Sequence, residues 1–238
     1  MDETEATKTA PFQEYHLSLL DMARVELTSW MGRTFCRRPP PKSLNPDRML
    51  NLGAGEKLLD GFTNANFFSI REMFRPQRIW MLDLRFPLPC EDNYWDGVFM
   101  EHTLEHLYPD QARAVLCEIH RILKPGGWVR ISVPDLQKYV QYYCSGSGDL
   151  LFTRWKFPAE AIHSLTQKYF HYSVWDALWL SANLKQAGFT EISERRFREG
   201  ADVRLLRDSA DREWESLYME ARKPLDPSIS EPVPEKAK

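Results

Sequence analysis

Residues 101–106, Glu101-His102-Thr103-Leu104-Glu105-His106, bring two imidazoles and two carboxylates into one short stretch. Two histidines at i and i+4 with a glutamate between them is a spacing that zinc peptidases use. That chemistry needs a helix to present both rings on one face, and a third ligand from elsewhere. The surroundings do not provide the helix. The stretch follows directly on the apolar run Gly97–Met100, and Pro109 disfavours helical geometry at Tyr108, so only a turn or two fits between them. A histidine at the end of a strand has a different use. Its ordinary pKa near neutrality suits it to take a proton from a hydroxyl or amine acceptor. His102 is assigned that role, against the alternative of a polar residue that merely lines a pocket. Glu105 and His106 would fix the following turn by local hydrogen bonds.

A second chemical feature lies upstream. Met49–Leu52 is a short apolar run that enters Gly53-Ala54-Gly55. Glycine admits positive φ and lets a ligand approach where a Cβ would block it. Where a dinucleotide fingerprint would place its third glycine stands Leu58, so a pyrophosphate cradle is disfavoured. At the end of the next apolar run, where a carboxylate would accept from both ribose hydroxyls, the chain has Asn66. Loss of that charge-assisted pair weakens nucleoside binding by roughly 1–2 kcal/mol. Asn66 with Arg71 and Arg75 close behind keeps open an NADP 2′-phosphate site, and with it an oxidoreductase. Further on, Asp83-Leu84 ends another run, where a carboxylate can accept from an adenine amino group and a backbone N–H can read a ring nitrogen.

These residues need strands and turns to hold them. Strand-like runs at Met49–Leu52, Thr63–Phe67, Ile79–Leu84, Asp96–Met100 and Trp128–Val133 alternate with helical periodicity. Residues 109–123 put Ala112, Val115, Leu116, Ile119 and Leu123 on one face, starting at Pro109 and stopping at Pro125-Gly126-Gly127. A second helix is expected near Val174–Ala187, capped by Gly188. Thr190–Phe197 and Ser216–Ala221 read as strands with polar alternation suited to a sheet edge. Strand–helix alternation of this kind predicts an α/β fold: an open, doubly wound, mainly parallel sheet, with ligands beyond the carboxyl ends of the strands.

The 238 residues suggest one main domain, at 48–222, after an N-terminal segment 1–47 and before a proline- and charge-rich tail at 223–238. The N-terminal segment holds a helix at 13–31, with Leu17, Leu20, Ala23, Leu27 and Met31 at helical spacing, and then the breaker RRPPPKSLNP. A net charge of −3 gives no general pull toward nucleic acid or an anionic membrane. No apolar run approaches the ~18–20 residues of a membrane span. Cys36, Cys90, Cys117 and Cys144 form no CxxC pair, and the polar, acidic start MDETEATKTA is unlike a secretory leader, so a reduced, cytoplasmic protein is expected.

The ordered set "LNLGAG…GFTNANF…LDLRFPLPCEDNYWDGVFMEHTLEHL…ILKPGGWVRISVPDL" resembles the class I S-adenosylmethionine-dependent methyltransferases, and within them the type 11-like branch. The resemblance is close over residues 49–135 and looser to Ala221. It implies a seven-stranded Rossmann-like sheet with an antiparallel last strand at Ser216–Ala221. It also implies S-adenosylmethionine as cofactor, held by Asn51, Gly53, Ala54, Gly55, Asn66, Asp83, Leu84 and Glu101, with His102 as base. The chain departs from the family at Asn66, where Asp or Glu is usual. Some methyltransferases of ubiquinone synthesis carry Glu-x-x-Glu-His and bind a divalent metal. The similar stretch here would offer His102, Glu105 and His106, a set that favours zinc over magnesium. Relatives of this branch accompany cell-surface polysaccharide synthesis, so a small molecule or a glycan hydroxyl or amine is the implied acceptor.

The family places an acceptor-covering insertion at 136–180, and here it is crowded with aromatics from Tyr139 to Trp179. Asp135, His171 and Tyr172 are polar candidates for that pocket. Trp175 and Trp179 have the i, i+4 spacing of a buried helix face. The run ERRFREGADVRLLR (194–207) carries five arginines, read as either a solvated strand and loop or an anion site. Nucleic-acid methyltransferases carry an Asn/Asp-Pro-Pro-aromatic tetrapeptide where this chain has Met100-Glu101-His102-Thr103, and the acidic balance opposes a phosphate-tracking surface. A catalytically inactive, cofactor-binding partner protein is the remaining alternative.

Overall fold

The computed structural model describes residues 18–41, 46–68 and 79–225. Residues 13–17 of the expected first helix, together with Arg71 and Arg75, lie outside them. Seven strands form one sheet: β1 (Met49–Leu52), β2 (Phe62–Asn66), β3 (Ile79–Met81), β4 (Trp95–Glu101), β5 (Leu123–Pro134), β6 (Thr190–Arg195) and β7 (Ser216–Arg222). Their order is β3-β2-β1-β4-β5-β7-β6, with β1 to β5 parallel and β7 antiparallel to both β5 and β6. This is the expected seven-stranded, mainly parallel sheet with its antiparallel last strand.

Sequence order reverses at β1, whose neighbours are β2 on one side and β4 on the other. In parallel sheets such a reversal opens a crevice above the carboxyl ends. β1 is buried along its whole length, as a strand covered on both faces must be. β7 corrects its expected edge character: six of its seven residues are buried, because β6 takes the edge instead.

Five helices are described. The helix α1 (Leu19–Phe35) starts on a capping box: Ser18 Oγ accepts from Asp21 N, and Ser18 N donates to the Asp21 carboxylate. Its apolar stripe is not the face that docks. Leu20 is 82% exposed and Leu27 and Met31 are also open, whereas Ser29 and Gly32 are buried. Small residues allow the close approach: a Cβ on Gly32 would stand 2.2 Å from the Phe68 ring. That contact explains a helical glycine that intrinsic propensity disfavours by about 1 kcal/mol.

The helix α2 (Pro109–Ile122) begins at its proline and buries Ala112, Val115, Leu116, Ile119 and Ile122, as its periodicity predicts. It shares one core with Leu180 and Leu184 of α5 (Ala177–Gln186) and with the interior of β1, β4, β5 and β7. On the other sheet face Met49 and Phe99 pack with Leu205. Trp175 joins the main core, but it precedes α5 and does not lie on it; Trp179 stacks on it at 4.2 Å and stays partly exposed.

The aromatic stretch builds a second core. Helices α3 (Leu136–Ser145) and α4 (Pro158–Gln167) bury Tyr139, Tyr142, Phe152, Ala161 and Leu165, with Trp155 and Trp214 against them. The arginine run is a structural loop over the sheet. Arg130, fully buried in β5, holds it with bonds from Nε and Nη2 to Asp208 (2.7 and 2.6 Å) and from Nη1 and Nη2 to the carbonyls of Glu199 and Arg196. Its Nη1 also meets Glu220, which in turn accepts from Ala201 N and pairs with Arg195. Gly200 is required there, since a Cβ would stand 1.8 Å from the Glu220 carboxylate.

Candidate active site

The crevice at the sheet reversal opens into a cavity of about 520 Å³, within the range of small-ligand sites. Gly53 and Gly55 form its floor at φ +76 and +54. The turn is fixed by Gly53 N and Ala54 N, which both donate to Ala65 O at 2.9 Å. A Cβ on Gly53 would meet Thr103 Oγ1 at 2.1 Å, whereas Gly55 faces open space. Gly53 is therefore glycine for the protein's own packing, and Gly55 leaves room for a ligand.

Asn66 lines the same cavity at the end of β2. Its amide donates to Gly55 O at 3.2 Å while its Oδ1 accepts from Phe67 N at 3.0 Å, so it braces the glycine turn. Asn51 is buried beneath the turn and bonds to Asn64 and to the Lys57 carbonyl, away from the cavity lining. Leu84 lines the cavity.

Asp83 reaches the cavity with its carboxylate already engaged. Ser29 Oγ donates to Oδ2 at 2.5 Å, and Arg85 donates from its backbone N and its guanidinium. Burial alone pushes this carboxyl up, but the bonds from Arg85 and Ser29 outweigh burial and leave it below its ordinary 3.8. Arg85 also pairs with Glu26, so Asp83 and Arg85 together anchor α1 over the opening. Met22, Val25 and Glu26 of that helix form part of the wall. No local pattern in residues 19–35 points to this role. Only the docking of Ser29 and Gly32 creates it.

Glu101 faces elsewhere. Its carboxylate accepts from Ser209 N at 2.8 Å and from Ser209 Oγ, and Lys57 Nζ lies 3.4 Å away. It pins the loop before β7 to the end of β4.

His102 stands in the cavity wall at φ +46, a left-handed backbone that few non-glycine residues adopt. Its Nε2 is 2.7 Å from Ser216 Oγ and its Nδ1 is 3.4 Å from Glu105 Oε1. The second distance is long for a hydrogen bond, and it is an ion pair only when the ring carries both protons. Two proton arrangements satisfy these atoms. In one, both ring nitrogens carry a proton: Nδ1–H faces Glu105 and Nε2–H donates to Ser216, whose own proton goes to the Arg212 carbonyl at 2.7 Å. In the other, Nδ1–H faces Glu105 and Nε2 accepts from Ser216.

The HTLEH stretch is a strand end followed by the single 3-10 turn Leu104–His106, so the peptidase helix is absent. Glu105 is 1% exposed, and among the described residues neither of its carboxylate oxygens has a hydrogen-bond partner. Burial raises its pKa, yet the contact to His102 and the nearby His106 and His171 outweigh burial and hold it below the ordinary value. The backbone of the same turn is tied to the 171–173 loop: Glu105 O accepts from Tyr172 N at 2.8 Å and from Ser173 N at 3.1 Å. His171 is thereby set beside Glu105, and its Nδ1 donates to Leu165 O at 2.8 Å. Burial, opposed by Glu105, lowers the His171 pKa and favours the neutral ring.

The three acceptor candidates separate. Tyr172 lines the glycine-floored cavity, stacked on Tyr108 at 4.6 Å. Asp135 caps α3, accepting from Gln137 N at 2.9 Å, and lines a second cavity of about 670 Å³ with Lys138, Trp214 and Ser216. Its carboxyl is pushed up by burial. His102 and Ser216 stand between the two cavities, one lining each. Sequence reasoning missed Thr103, Phe67, Tyr108 and Gln111 in the first cavity and Ser216 in the second.

The family described as "Methyltransferase domain" matches residues 72–131, the stretch running from before Asp83 through His102 and past Pro125-Gly126-Gly127. The motif resemblance to class I S-adenosylmethionine-dependent methyltransferases is thus matched by a domain family, and S-adenosylmethionine is the cofactor that goes with it. The open face of Gly55 and the cavity volume fit such a ligand. No curated protein matches the chain. Among solved structures, a SAM-dependent methyltransferase from Archaeoglobus fulgidus is 16% identical with a TM-score of 0.45, covering 84% of this chain and 94% of its own. A SAM-dependent methyltransferase described as a possible histamine N-methyltransferase, from Thermotoga maritima, is 17% identical with a TM-score of 0.47, covering 86% and 95%. The 1,6-didemethyltoxoflavin-N1-methyltransferase of Burkholderia thailandensis is 18% identical with a TM-score of 0.45, covering 86% and 80%. No helix among the described residues is long and apolar enough to cross a membrane.

Proposed function

We propose that this chain transfers a methyl group from S-adenosylmethionine to a hydroxyl or amine of a small molecule or glycan. The observation that carries the reading is a glycine floor, open at Gly55, in the same cavity as His102. When bound, the cofactor supplies a methyl group on a sulfonium centre. The Gly53-Ala54-Gly55 turn would hold its amino-acid half, with Gly55 as the open backbone face and Gly53 N and Ala54 N committed to Ala65, Asn66 its ribose, and Phe67 and Leu84 its adenine. Asp83 and Glu101 support that set indirectly, by holding α1 and the loop before β7.

Methyl transfer asks the protein mainly to align acceptor and donor and to manage one proton. In this reading His102 takes the proton. With Nδ1–H facing Glu105, an acceptor hydroxyl or amine that replaces Ser216 at Nε2 meets a free lone pair. The second cavity, which Ser216 and Asp135 line, is the acceptor space.

Calorimetric titration with S-adenosylmethionine, S-adenosylhomocysteine and NADPH tests the reading. S-adenosylmethionine and its product should bind, and Asn66→Asp, which removes the donor to Gly55 O and sets a carboxylate against that carbonyl, should weaken both. Tight NADPH binding without S-adenosylmethionine binding would overturn it. The engagement of both Asp83 and Glu101 in structural bonds favours a second reading, a cofactor-binding partner protein without turnover. Binding without methyl transfer to any acceptor of a metabolite extract would select that reading.

A further inference from the structure

We infer that Glu105, His106 and His171 form a binding site for one divalent first-row transition ion of the zinc type. One ligand atom from each of these three residues lies within 4.8 Å of the others. Ligands about 2.0–2.2 Å from a shared tetrahedral ion lie about 3.3–3.6 Å apart, so small side-chain rotations close the set. The two rings already approach each other at 5.0 Å between centroids.

The carboxylate is what demands a partner. Glu105 is 1% exposed, and its oxygens lack any hydrogen bond among the described residues. A buried charge left in that condition is costly unless it is paired or coordinates a metal. His102 does not meet the need. Its Nε2 is taken by Ser216 and its Nδ1 reaches no closer than 3.4 Å.

His171 has the second feature of a ligand. Its Nδ1–H is held by the Leu165 carbonyl, which leaves Nε2 as its only coordinating atom. Backbone carbonyls commonly fix metal-bound imidazoles in this way. The loop is built to place the ring: Tyr169 and Phe170 both take φ +61, and Tyr172 N and Ser173 N dock on Glu105 O. His106 is exposed and lines the glycine-floored cavity, so a fourth coordination position would open there.

This set is not the one that spacing suggests. His102, at i−3 from Glu105, is replaced by a residue 66 positions after Glu105. The ion would cross-link the turn after His102 to the 169–173 loop. The inference stands apart from the cofactor reading, because the three residues need no S-adenosylmethionine to be together.

The test is Zn²⁺ titration of the full-length, metal-stripped chain by calorimetry, with Co²⁺ absorption as a second probe and thermal unfolding as a third. One ion should bind per chain, raising Tm by about 5–10 °C at a hundredfold excess over Kd. Co²⁺ should give the intense visible bands of a low-coordinate site. His106→Ala and His171→Ala should each weaken Zn²⁺ binding at least about 100-fold, while His163→Ala, exposed on α4, should not. Glu105→Gln should do the same as the two ligand variants. His106 is exposed, so its variant keeps the fold even if the buried Glu105→Gln does not. Absent binding, unchanged affinity in His106→Ala, or loss in His163→Ala would each overturn the site. S-adenosylmethionine titrated into the same samples reports the cofactor reading separately.

Discussion

His102 Nε2 lies 2.7 Å from Ser216 Oγ, joining the end of β4 to the start of β7 across 114 positions of sequence. The contact puts one imidazole between two cavities, and in the proposed reaction the acceptor would take the place of Ser216. A buried carboxylate, Glu105, stands behind the other nitrogen. For the proposed base these two neighbours would be an orienting group and an exchangeable one.

Removing the imidazole should separate binding from turnover. His102→Ala should leave S-adenosylmethionine affinity within about threefold and lower methyl transfer at least about tenfold. Ser216→Ala should leave transfer closer to the parent, since Ser216 only occupies the place of the acceptor. Radiolabelled methyl incorporation measures both, and unchanged turnover in His102→Ala would end the assignment.

The glycine floor gives two opposed outcomes. Gly53→Ala forces a Cβ into Thr103 and keeps a left-handed backbone, for a cost of about 1–2 kcal/mol from conformation alone. It should lower Tm with or without ligand. Gly55→Ala has space for its methyl in the unliganded protein, so the cost of Ala is conformational only and the larger loss should fall on cofactor affinity. Calorimetry beside thermal unfolding distinguishes the two.

Arg130 is fully buried and answers Asp208 and Glu220 together. Arg130→Met leaves Asp208 buried without a cation and Glu220 with Arg195 alone, and should destabilise the chain by about 3–5 kcal/mol. Denaturant unfolding measures the loss. Increased proteolysis of the 196–209 loop should accompany it.

Acid should release α1. The Asp83 carboxyl is held below 3.8 by Arg85 and Ser29, so its contribution is complete above that value and disappears as pH falls through the lower folded one. Protection against hydrogen exchange across residues 19–35, taken relative to the intrinsic rate at each pH, should therefore fall as pH drops below 3.8, with the ionised carboxylate as the switch. In Asp83→Asn the pH step should vanish. A step of equal size in that variant would place the switch elsewhere.

Much of the scaffold was legible because it is local. The Pro109 start and the Ala112–Ile122 stripe and the short run into Gly53-Ala54-Gly55 each express their structure within a few residues, whereas Pro125-Gly126-Gly127, expected to separate helix from strand, lies within β5. The apolar core of β1 and β4 follows from the same patterning. Asp83 and Glu101 were legible as strand-end carboxylates but not in their bonds, because Ser29 and Ser209 approach from 54 and 108 positions away.

The sequence by itself determined strand, turn and helix, the order of motifs that marks a methyltransferase domain, and the placing of Gly53, Asn66 and His102 at strand ends. Only tertiary structure decided which face of α1 docks, because Ser29 and Gly32 fit Asp83 and Phe68 more closely than the apolar stripe can. It likewise decided that Glu105 meets His171 and that Arg130 meets Asp208. Periodicity reports a residue's own neighbourhood, whereas a charge buried in the core is neutralised by whatever distant side chain the folded chain delivers.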